Sequence, residues 1–201
     1  MSLGAHPSLD VALVHSSYRA PATAVVETAV HDLAAALRDR GHRPTVLTAH
    51  RALSRRPTSE EEIPVLDVAR LPESPLRRRG FTGPLTQIPL ILRALLSARH
   101  DVVHSFSAPD ALAARLWRRR CGRPILFTCT ETLSRDRLAD RRLRLRLLSS
   151  AVEDSDAVLV PTDEAAAALW RWLAVEAPVV DPCDGAAHER LYRRLLAGSE
   201  P

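Results

Sequence analysis

The chain has 201 residues, a length that fits one large domain or two small ones. Hydrophobic residues make up 46% of it but aromatic residues only 4%, so a packed core must be built mainly from Leu, Val and Ala. The net charge is +4. The sequence contains no lysine, so all 28 of its Lys and Arg residues are arginines. The arginines are dispersed, without a helix-turn-helix or an aromatic RNA-binding pattern, and nucleic acid is therefore not a predicted partner.

No part of the sequence has the features of a membrane span, a secretory signal or a metal site. The first apolar run, residues 11–14, is far shorter than a signal-peptide core, and no run approaches the roughly 18 apolar residues of a spanning helix. The three cysteines, Cys121, Cys129 and Cys183, have no metal-ligand spacing and indicate idle thiols in a reducing compartment. The sequence predicts a cytoplasmic protein, free or peripheral on the inner face of a membrane, without a metal.

Short β-branched runs alternate with longer helical stretches, the pattern of a parallel sheet flanked by helices. The predicted strands are residues 9–15, 45–48, 63–68, 101–105, 124–129, 157–160 and 179–180. The predicted helices are residues 23–40, 89–99, 107–120, 134–153, 162–173 and 186–196, with loops at 51–62 and 72–84. The pattern predicts an α/β fold with a single Rossmann-like doubly wound parallel sheet, formed by residues 1–180. Residues 181–201 add a C-terminal helix that packs back on the same domain.

Local signals mark two of the helix ends. Apolar residues at helical spacing predict one buried stripe on the first helix: Val26, Val30, Leu33 and Leu37. Gly41 follows as the glycine that ends this helix in a left-handed conformation. Ser107 and Asp110 have the S-x-x-D spacing of a capping box, which predicts that a helix begins there.

Several short motifs occur in a fixed order along the chain. They are VALVH at 11–15, Glu27, RGH at 40–42, VLT at 46–48, DVVH at 101–104, PILFT at 124–128 and DAVLVPT at 156–162. This ordered set resembles the N-terminal domain of family 4 glycosyltransferases, which have the GT-B fold of two facing Rossmann-like domains. The resemblance implies that this chain is the acceptor-side half, because the N-terminal domain of that family mostly holds the acceptor.

The resemblance does not extend to the donor-binding half. That half carries an E-x7-E motif in the family, and here no two glutamates lie eight positions apart. Residues 179–196 instead resemble the end of the family's chain, whose last helix packs back on the N-terminal domain. The resemblance implies a hexosyltransferase-like chain that is inactive alone and needs a second chain with a nucleotide-sugar-binding domain. The alternative is a non-catalytic binding or scaffold protein derived from such an enzyme.

The phosphate-binding turn of the family is altered in this chain. Ala24 and Val25 stand where two glycines precede the glutamate, here Glu27. Glycine at that place lets backbone N–H groups approach a phosphate at the helix N-terminus, and a valine side chain obstructs the approach. The family often has histidines where this sequence has Phe106 and Thr130. These changes favour the non-catalytic alternative.

Candidate acceptor-binding residues follow the predicted strands, because open α/β sheets bind ligands at the carboxyl ends of their strands. They are His15, His104, Ser105, Ser107, Thr128, Thr130 and Glu131. The carboxylate of Glu131 can accept a hydrogen bond from a hydroxyl of a sugar-like or inositol-like acceptor. The alternatives are strand-end capping, partial burial and an ordinary solvated carboxylate. No cofactor is predicted, because G-x-G-x-x-G, the Walker A motif, H-E-x-x-H and G-x-S-x-G are all missing.

The helix predicted at 134–153 is rich in arginine. Arg141, Arg142 and Arg144 alternate there with leucines. Such a basic amphipathic face suits an anionic membrane surface, and it would also suit a lipid-linked acceptor. The alternative is the solvated face of an ordinary core helix.

Overall fold

The computed structural model describes residues 7–15, 25–50, 63–69, 83–130 and 142–198. Within these ranges the strands are β1 (Asp10–Val14), β2 (Arg43–His50), β3 (Val65–Ala69), β4 (Val102–Ser105), β5 (Ile125–Thr128) and β6 (Ala157–Leu159). The helices are α1 (Val25–Asp39), α2 (Ile88–Leu96), α3 (Ala108–Cys121), α4 (Arg142–Asp154), α5 (Asp163–Leu173) and α6 (Gly185–Gly198), and a 3-10 turn, Gly83–Gln87, precedes α2. The loop predicted at 51–62, residues 72–82 of the second loop and residues 134–141 of the fourth predicted helix lie outside the described ranges.

The six strands form one parallel sheet in the order β3-β2-β1-β4-β5-β6. β1 is central, with Leu13 aligned with Val46 of β2 on one side and with His104 of β4 on the other. This is the strand order of a doubly wound Rossmann-like sheet. The predicted fold class is thereby confirmed.

Alternate residues of each strand face the two helical layers. Val11 and Leu13 of β1 belong to the core cluster that includes Leu33 of α1 and Tyr192 of α6. Ala12 and Val14 belong to a second cluster that includes residues of α2 and α3. Because both faces are covered, the central strands are mostly apolar, as expected for a buried parallel sheet, and their polar residues lie toward the carboxyl ends of β4 and β5.

The predicted helix signals are confirmed. Gly41 has φ of +83°, the left-handed conformation that ends α1. Ser107 is the N-cap of α3, and its hydroxyl accepts the backbone N–H of Asp110.

Two predicted strands differ most from the observed ones, and the others differ by one or two residues at their ends. β2 is longer than residues 45–48, because its pairing with β1 begins at Arg43 and includes Pro44. The strand predicted at 179–180 is reduced to a single bridge between Val160 and Val179. Prolines at 178 and 182 flank this bridge, and proline has no backbone N–H to continue a ladder.

The C-terminal helix α6 packs closely on α1. A Cβ atom added to Gly185 would lie 2.8 Å from the Cβ of Ala36, so the two helices meet where only glycine fits. Glu189 of α6 accepts hydrogen bonds from Arg40 (2.6 Å) and Arg193 (2.9 Å). Burial opposes the ionisation of Glu189, but these two arginines outweigh it and lower its pKa to about 2.

Candidate acceptor site at the carboxyl edge of the sheet

The chain leaves the adjacent strands β1 and β4 toward opposite faces of the sheet. The helix after β1 is α1, which packs on the face covered by α6, whereas the helix after β4 is α3, on the other face. In open α/β sheets such a switch point leaves a crevice at the carboxyl ends of the strands, where ligands bind. His15 directly follows β1 and Phe106 directly follows β4 at this position.

His104 lies beneath α6 with both ring nitrogens hydrogen-bonded. Its Nδ1 is 2.8 Å from the hydroxyl of Tyr192, and its Nε2 is 2.7 Å from the hydroxyl of Thr128. All three side chains are buried. Burial lowers the pKa of His104 well below its ordinary value and raises the pKa of Tyr192. His104 therefore ties β4 to β5 and to the C-terminal helix as a neutral imidazole.

A stack of rings continues from His104 in both directions. Phe106 stacks on its ring with a centroid distance of 4.2 Å, and His188 of α6 stacks at 5.4 Å. His15 meets Phe106 edge to face at 6.4 Å. Aromatic pairs at these distances and angles are favourable. The stack thus connects the switch point to the underside of α6.

His188 has a defined tautomer when neutral. Its Nδ1 lies 2.8 Å from the backbone carbonyl oxygen of Asp184, and a carbonyl oxygen only accepts, so Nδ1 carries the proton. Its Nε2 is then a lone pair, and this buried atom has no hydrogen-bond partner in the described structure. Burial lowers the pKa of His188, although the nearby carboxylates of Asp184 and Asp181 offset part of the effect.

His15 is the half-exposed member of the stack. Burial lowers its pKa to about 4, and the carboxylate of Glu27 offsets only part of this shift. The imidazole of His15 is therefore neutral at pH 7. Its buried Nδ1 has no hydrogen-bond partner among the residues that the structure describes.

Two other candidate residues at the strand ends, Ser105 and Thr130, donate hydrogen bonds to backbone carbonyl oxygens at the carboxyl edge of the sheet. Ser105 is buried, and its hydroxyl donates to the carbonyl oxygen of Leu126. Thr130 is half-buried, and its hydroxyl donates to the carbonyl oxygen of Phe106 at 3.0 Å, which ties the end of β5 to the end of β4.

Ser107 is half-buried, and besides capping α3 its hydroxyl lies 2.6 Å from Oδ2 of the buried Asp110.

Of the other predicted site residues, Ala24 and Glu131 lie outside the described residues. Val25 begins α1, and Glu27 is buried in the first turn of that helix. The structure thus brings His15, His104, Ser105, Ser107, Thr128 and Thr130 to one edge of the sheet, and their role in acceptor binding stays a prediction.

The basic face predicted for the membrane lies at the start of α4. Arg142 and Leu143 are exposed there, Arg144 is half-buried, and Arg141 lies outside the described residues. Across the described part of the chain, no helix is long and apolar enough to cross a membrane. Contact with an anionic membrane surface stays a prediction.

The sequence reasoning did not identify His188 as a site residue, and it noted Tyr192 only as part of the last helix. Four positions separate the two residues, which places them on one face of a helix and could have indicated a shared environment. Their partner, His104, is 88 positions from Tyr192, and no local pattern reveals a contact of that range.

In the described ranges, no group of three His, Cys, Asp or Glu side chains is arranged to hold a metal ion.

Comparisons with known proteins agree with this architecture. A family model described as "Glycosyl transferase 4-like domain" matches residues 26–183. A short chain of sucrose-phosphate synthase from Thermosynechococcus elongatus superposes with a TM-score of 0.67 and 16% identity, covering 92% of this chain and 98% of that one. No curated protein matches the sequence.

Longer chains align over about half of their length. The match covers 85% of this chain but only 47% of a longer chain of the same sucrose-phosphate synthase, with a TM-score of 0.66 and 14% identity. For HepE from Anabaena in complex with UDP and glucose, it covers 86% of this chain and 44% of HepE, with a TM-score of 0.62 and 14% identity. At such identities the likeness establishes the fold alone.

Proposed function

Because the chain belongs to the glycosyl transferase 4-like domain family, we propose that it is the acceptor-side half of a glycosyltransferase and transfers sugar only together with a second, nucleotide-sugar-binding domain. The observation that carries the proposal is the set of polar side chains at the β1/β4 switch point. His15, Ser107 and Thr130 are half-buried there, and His15 presents a neutral imidazole. Side chains of this kind suit the hydroxyl groups of an acceptor.

Two observations support a separate donor site. The 201 residues contain no pair of glutamates with E-x7-E spacing, the motif that the resemblance leads one to expect in the donor half. The structural match with this chain also covers only 44% of the length of HepE, a protein whose structure contains UDP and glucose. A protein of about twice the length thus binds a nucleotide and a sugar, and the share matched by this chain leaves room for a second domain.

Titration calorimetry of the purified 201-residue chain with UDP-sugars and GDP-sugars tests the donor side of the proposal. We expect no measurable binding, because the chain supplies only the acceptor side. A micromolar dissociation constant for any of these nucleotide-sugars would contradict the proposal. Thermal unfolding of the same sample, measured in parallel, shows that the protein is folded, so that missing binding reflects the lack of a donor site.

A non-catalytic binding or scaffold protein is the second candidate. One observation favours it: both nitrogens of His104 are engaged inside the protein, by Tyr192 and Thr128, so this histidine has no nitrogen left for a substrate. Sugar transfer by the chain and its donor partner decides between the two candidates. Transfer that is lost in a His15→Ala variant of unchanged stability would eliminate the scaffold function, and failure to transfer with any bound partner would support it.

A further inference from the structure

The last helix of the described residues, α6, is held to the rest of the fold by two separate contacts. On one side, Gly185 and Glu189 meet α1 and the residue that follows it. On the other side, His188 and Tyr192 lie over His104 of β4. None of the strand pairings from β1 to β6 involves α6, so this helix can leave the sheet without breaking them.

His188 has no place for a second proton while α6 is packed. Its Nδ1 donates to the carbonyl oxygen of Asp184 at 2.8 Å, and its Nε2 has no hydrogen-bond partner in the described structure. A proton added at Nε2 would create a charged N–H group without an acceptor in a residue that is only 1% exposed. Burial of an unpaired charge costs far more than burial of a neutral ring, so protonation favours a position of His188 in water.

His104 lies against His188 and makes protonation of the pair still less favourable. The centroids of the two rings are 5.4 Å apart, so a charge on one ring opposes a charge on the other. The strand neighbours of His104 are apolar residues of β1 and β5, and its nitrogens contact only the hydroxyls of Tyr192 and Thr128. Burial therefore lowers the pKa of both histidines below the ordinary value.

The carboxylates that face His188 do not reverse this preference. Those of Asp184 and Asp181 favour its protonated form, but burial has the larger effect, and the pKa of His188 is lowered overall. Both aspartates are exposed, so solvent weakens their attraction for the buried ring. The balance changes only when His188 itself reaches water.

The contact of α6 with α1 persists where the histidines titrate. Glu189 accepts a hydrogen bond from Arg40 at 2.6 Å, and its pKa of about 2 keeps its carboxylate ionised there. His42 lies beside this pair, with its Nε2 3.4 Å from the carboxylate of Glu189, and Arg40 and Arg193 also face it. A proton on His42 would increase its attraction to Glu189. Acid therefore weakens the contact of α6 with the sheet and leaves its contact with α1 in place.

We propose that α6 is an acid-released latch: protonation of His188 and His104 frees the helix from the sheet, while β1 to β6 stay paired and Glu189 keeps α6 attached at Arg40. The released form binds more protons than the packed form. Packing is therefore complete above pH 6.5, the ordinary pKa of a histidine, and is lost as the pH falls from there. Release uncovers His104 and the core residues beneath Tyr192, so the pH of the surroundings controls access to this face of the sheet. None of these contacts involves a donor or an acceptor, so the latch is independent of the proposed function.

Hydrogen–deuterium exchange of the full chain, measured by mass spectrometry at pH 7.5 and pH 5, tests the latch. The exchange rates are first corrected for their intrinsic dependence on pH. Between the two pH values, we expect the backbone amides of α6 to lose about tenfold or more protection relative to those of β1 and β4. One histidine whose pKa returns to 6.5 on release contributes up to about thirtyfold over this range.

Two matched substitutions identify the histidine responsible. His188→Asn keeps an N–H donor for the carbonyl oxygen of Asp184 but cannot take up a proton, so it should remove most of the pH-dependent loss. His100→Asn removes another buried histidine whose pKa is lowered by burial, at the amino edge of the sheet beside Asp10 and Asp101. This control should leave the pH-dependent loss in α6 unchanged.

The unmodified chain decides by itself whether α6 opens first, so the test does not depend on the folding of a variant. The latch is overturned if the α6 amides keep their protection at pH 5, or if they lose it together with those of β1 and β4, as in global unfolding. It is also overturned if His188→Asn retains the full pH dependence. Loss of protection that is confined to α6 and reduced in His188→Asn supports it.

Discussion

His104 illustrates how a single buried imidazole joins three parts of the chain. Its nitrogens reach Thr128 at the end of β5 and Tyr192 on α6, and its ring is stacked between Phe106 and His188. A neutral imidazole has one donor and one acceptor nitrogen, and each hydroxyl can take the complementary role. Both nitrogens of His104 and both hydroxyl oxygens thus have a hydrogen-bond partner, which makes the group a fixed point beneath the helix.

This arrangement predicts a coupled loss of stability. Tyr192→Phe or Thr128→Val leaves one nitrogen of the buried His104 without a partner, and each variant should lower the free energy of unfolding by about 1–3 kcal/mol. The effect of the double variant should differ from the sum of the two, because both changes act through the same ring. Urea unfolding of the four proteins measures this coupling. Strict additivity would show that the two hydroxyls do not share His104.

At the scale of elements, the contact between α1 and α6 depends on a missing side chain. Gly185 meets the Cβ and the carbonyl carbon of Ala36, at 2.8 and 3.2 Å from where its own Cβ would be. The salt bridges of Glu189 with Arg40 and Arg193 lie along the same contact. Close approach of the helices brings His188 and Tyr192 over the sheet.

Gly185→Ala should therefore separate the two helices and destabilise the protein by about 1–3 kcal/mol, the usual effect of overpacking. Gly198→Ala is the matched control, because nothing lies within 4 Å of the added methyl group there, and we expect its stability to equal that of the parent chain. Thermal unfolding of the two variants provides the comparison. An unchanged melting temperature for Gly185→Ala would mean that α6 can shift away from α1 without loss of stability, and so is not closely packed against it.

The elements that the sequence predicted well are those with local signals. The glycine after α1, the serine cap of α3 and the alternation of strands and helices all depend on residues within a few positions of each other. The carboxyl edge was predicted from the ends of β1, β4 and β5, since strand ends of a parallel sheet meet at one edge. The packing of α6 over His104 depends on a contact between residues 104 and 192, which are far apart in the sequence. Helical periodicity predicts that α6 has a buried face, but it does not predict which residues that face contacts.

At the scale of the whole molecule, stability should depend on pH through two groups of residues whose ranges overlap near pH 4. Burial lowers the pKa of His15, His104 and His188 below the ordinary value of 6.5, to about 4 for His15. The unfolded chain then binds more protons than the folded one, so the stability contributed by these neutral histidines is complete above pH 6.5 and is lost as the pH falls from there. Glu189, with a pKa lowered from 4.5 to about 2, contributes stability that is lost only below pH 4.5.

Urea unfolding should therefore show a free energy of unfolding that is nearly constant from pH 7.5 to about 6.5 and decreases from there to pH 5, with a further decrease below pH 4.5. His15→Gln removes one of the titrating groups, and its profile should be less steep over the upper range. A profile that is flat between pH 7.5 and 5 would show that the buried histidines do not stay neutral in the folded protein.

The described residues form one Rossmann-like half of a GT-B fold, and the candidate acceptor-binding residues lie at three strand ends. The comparison structures of greater length contain about as much chain again beyond the matched part. A domain that binds the nucleotide-sugar must face the carboxyl edge if sugar is to reach an acceptor bound there.

Cross-linking mass spectrometry of the chain in its native cells tests this requirement most directly. The sequence has no lysine, so the cross-linker must react with carboxylates or be photoactivated. We predict a stoichiometric nucleotide-sugar-binding domain with an E-x7-E motif, cross-linked to residues near the carboxyl edge such as Asp184 and Glu164. If the chain is recovered without such a domain, or if the cross-links lie only at the opposite edge near Asp10 and Asp101, the proposed acceptor-side role is contradicted.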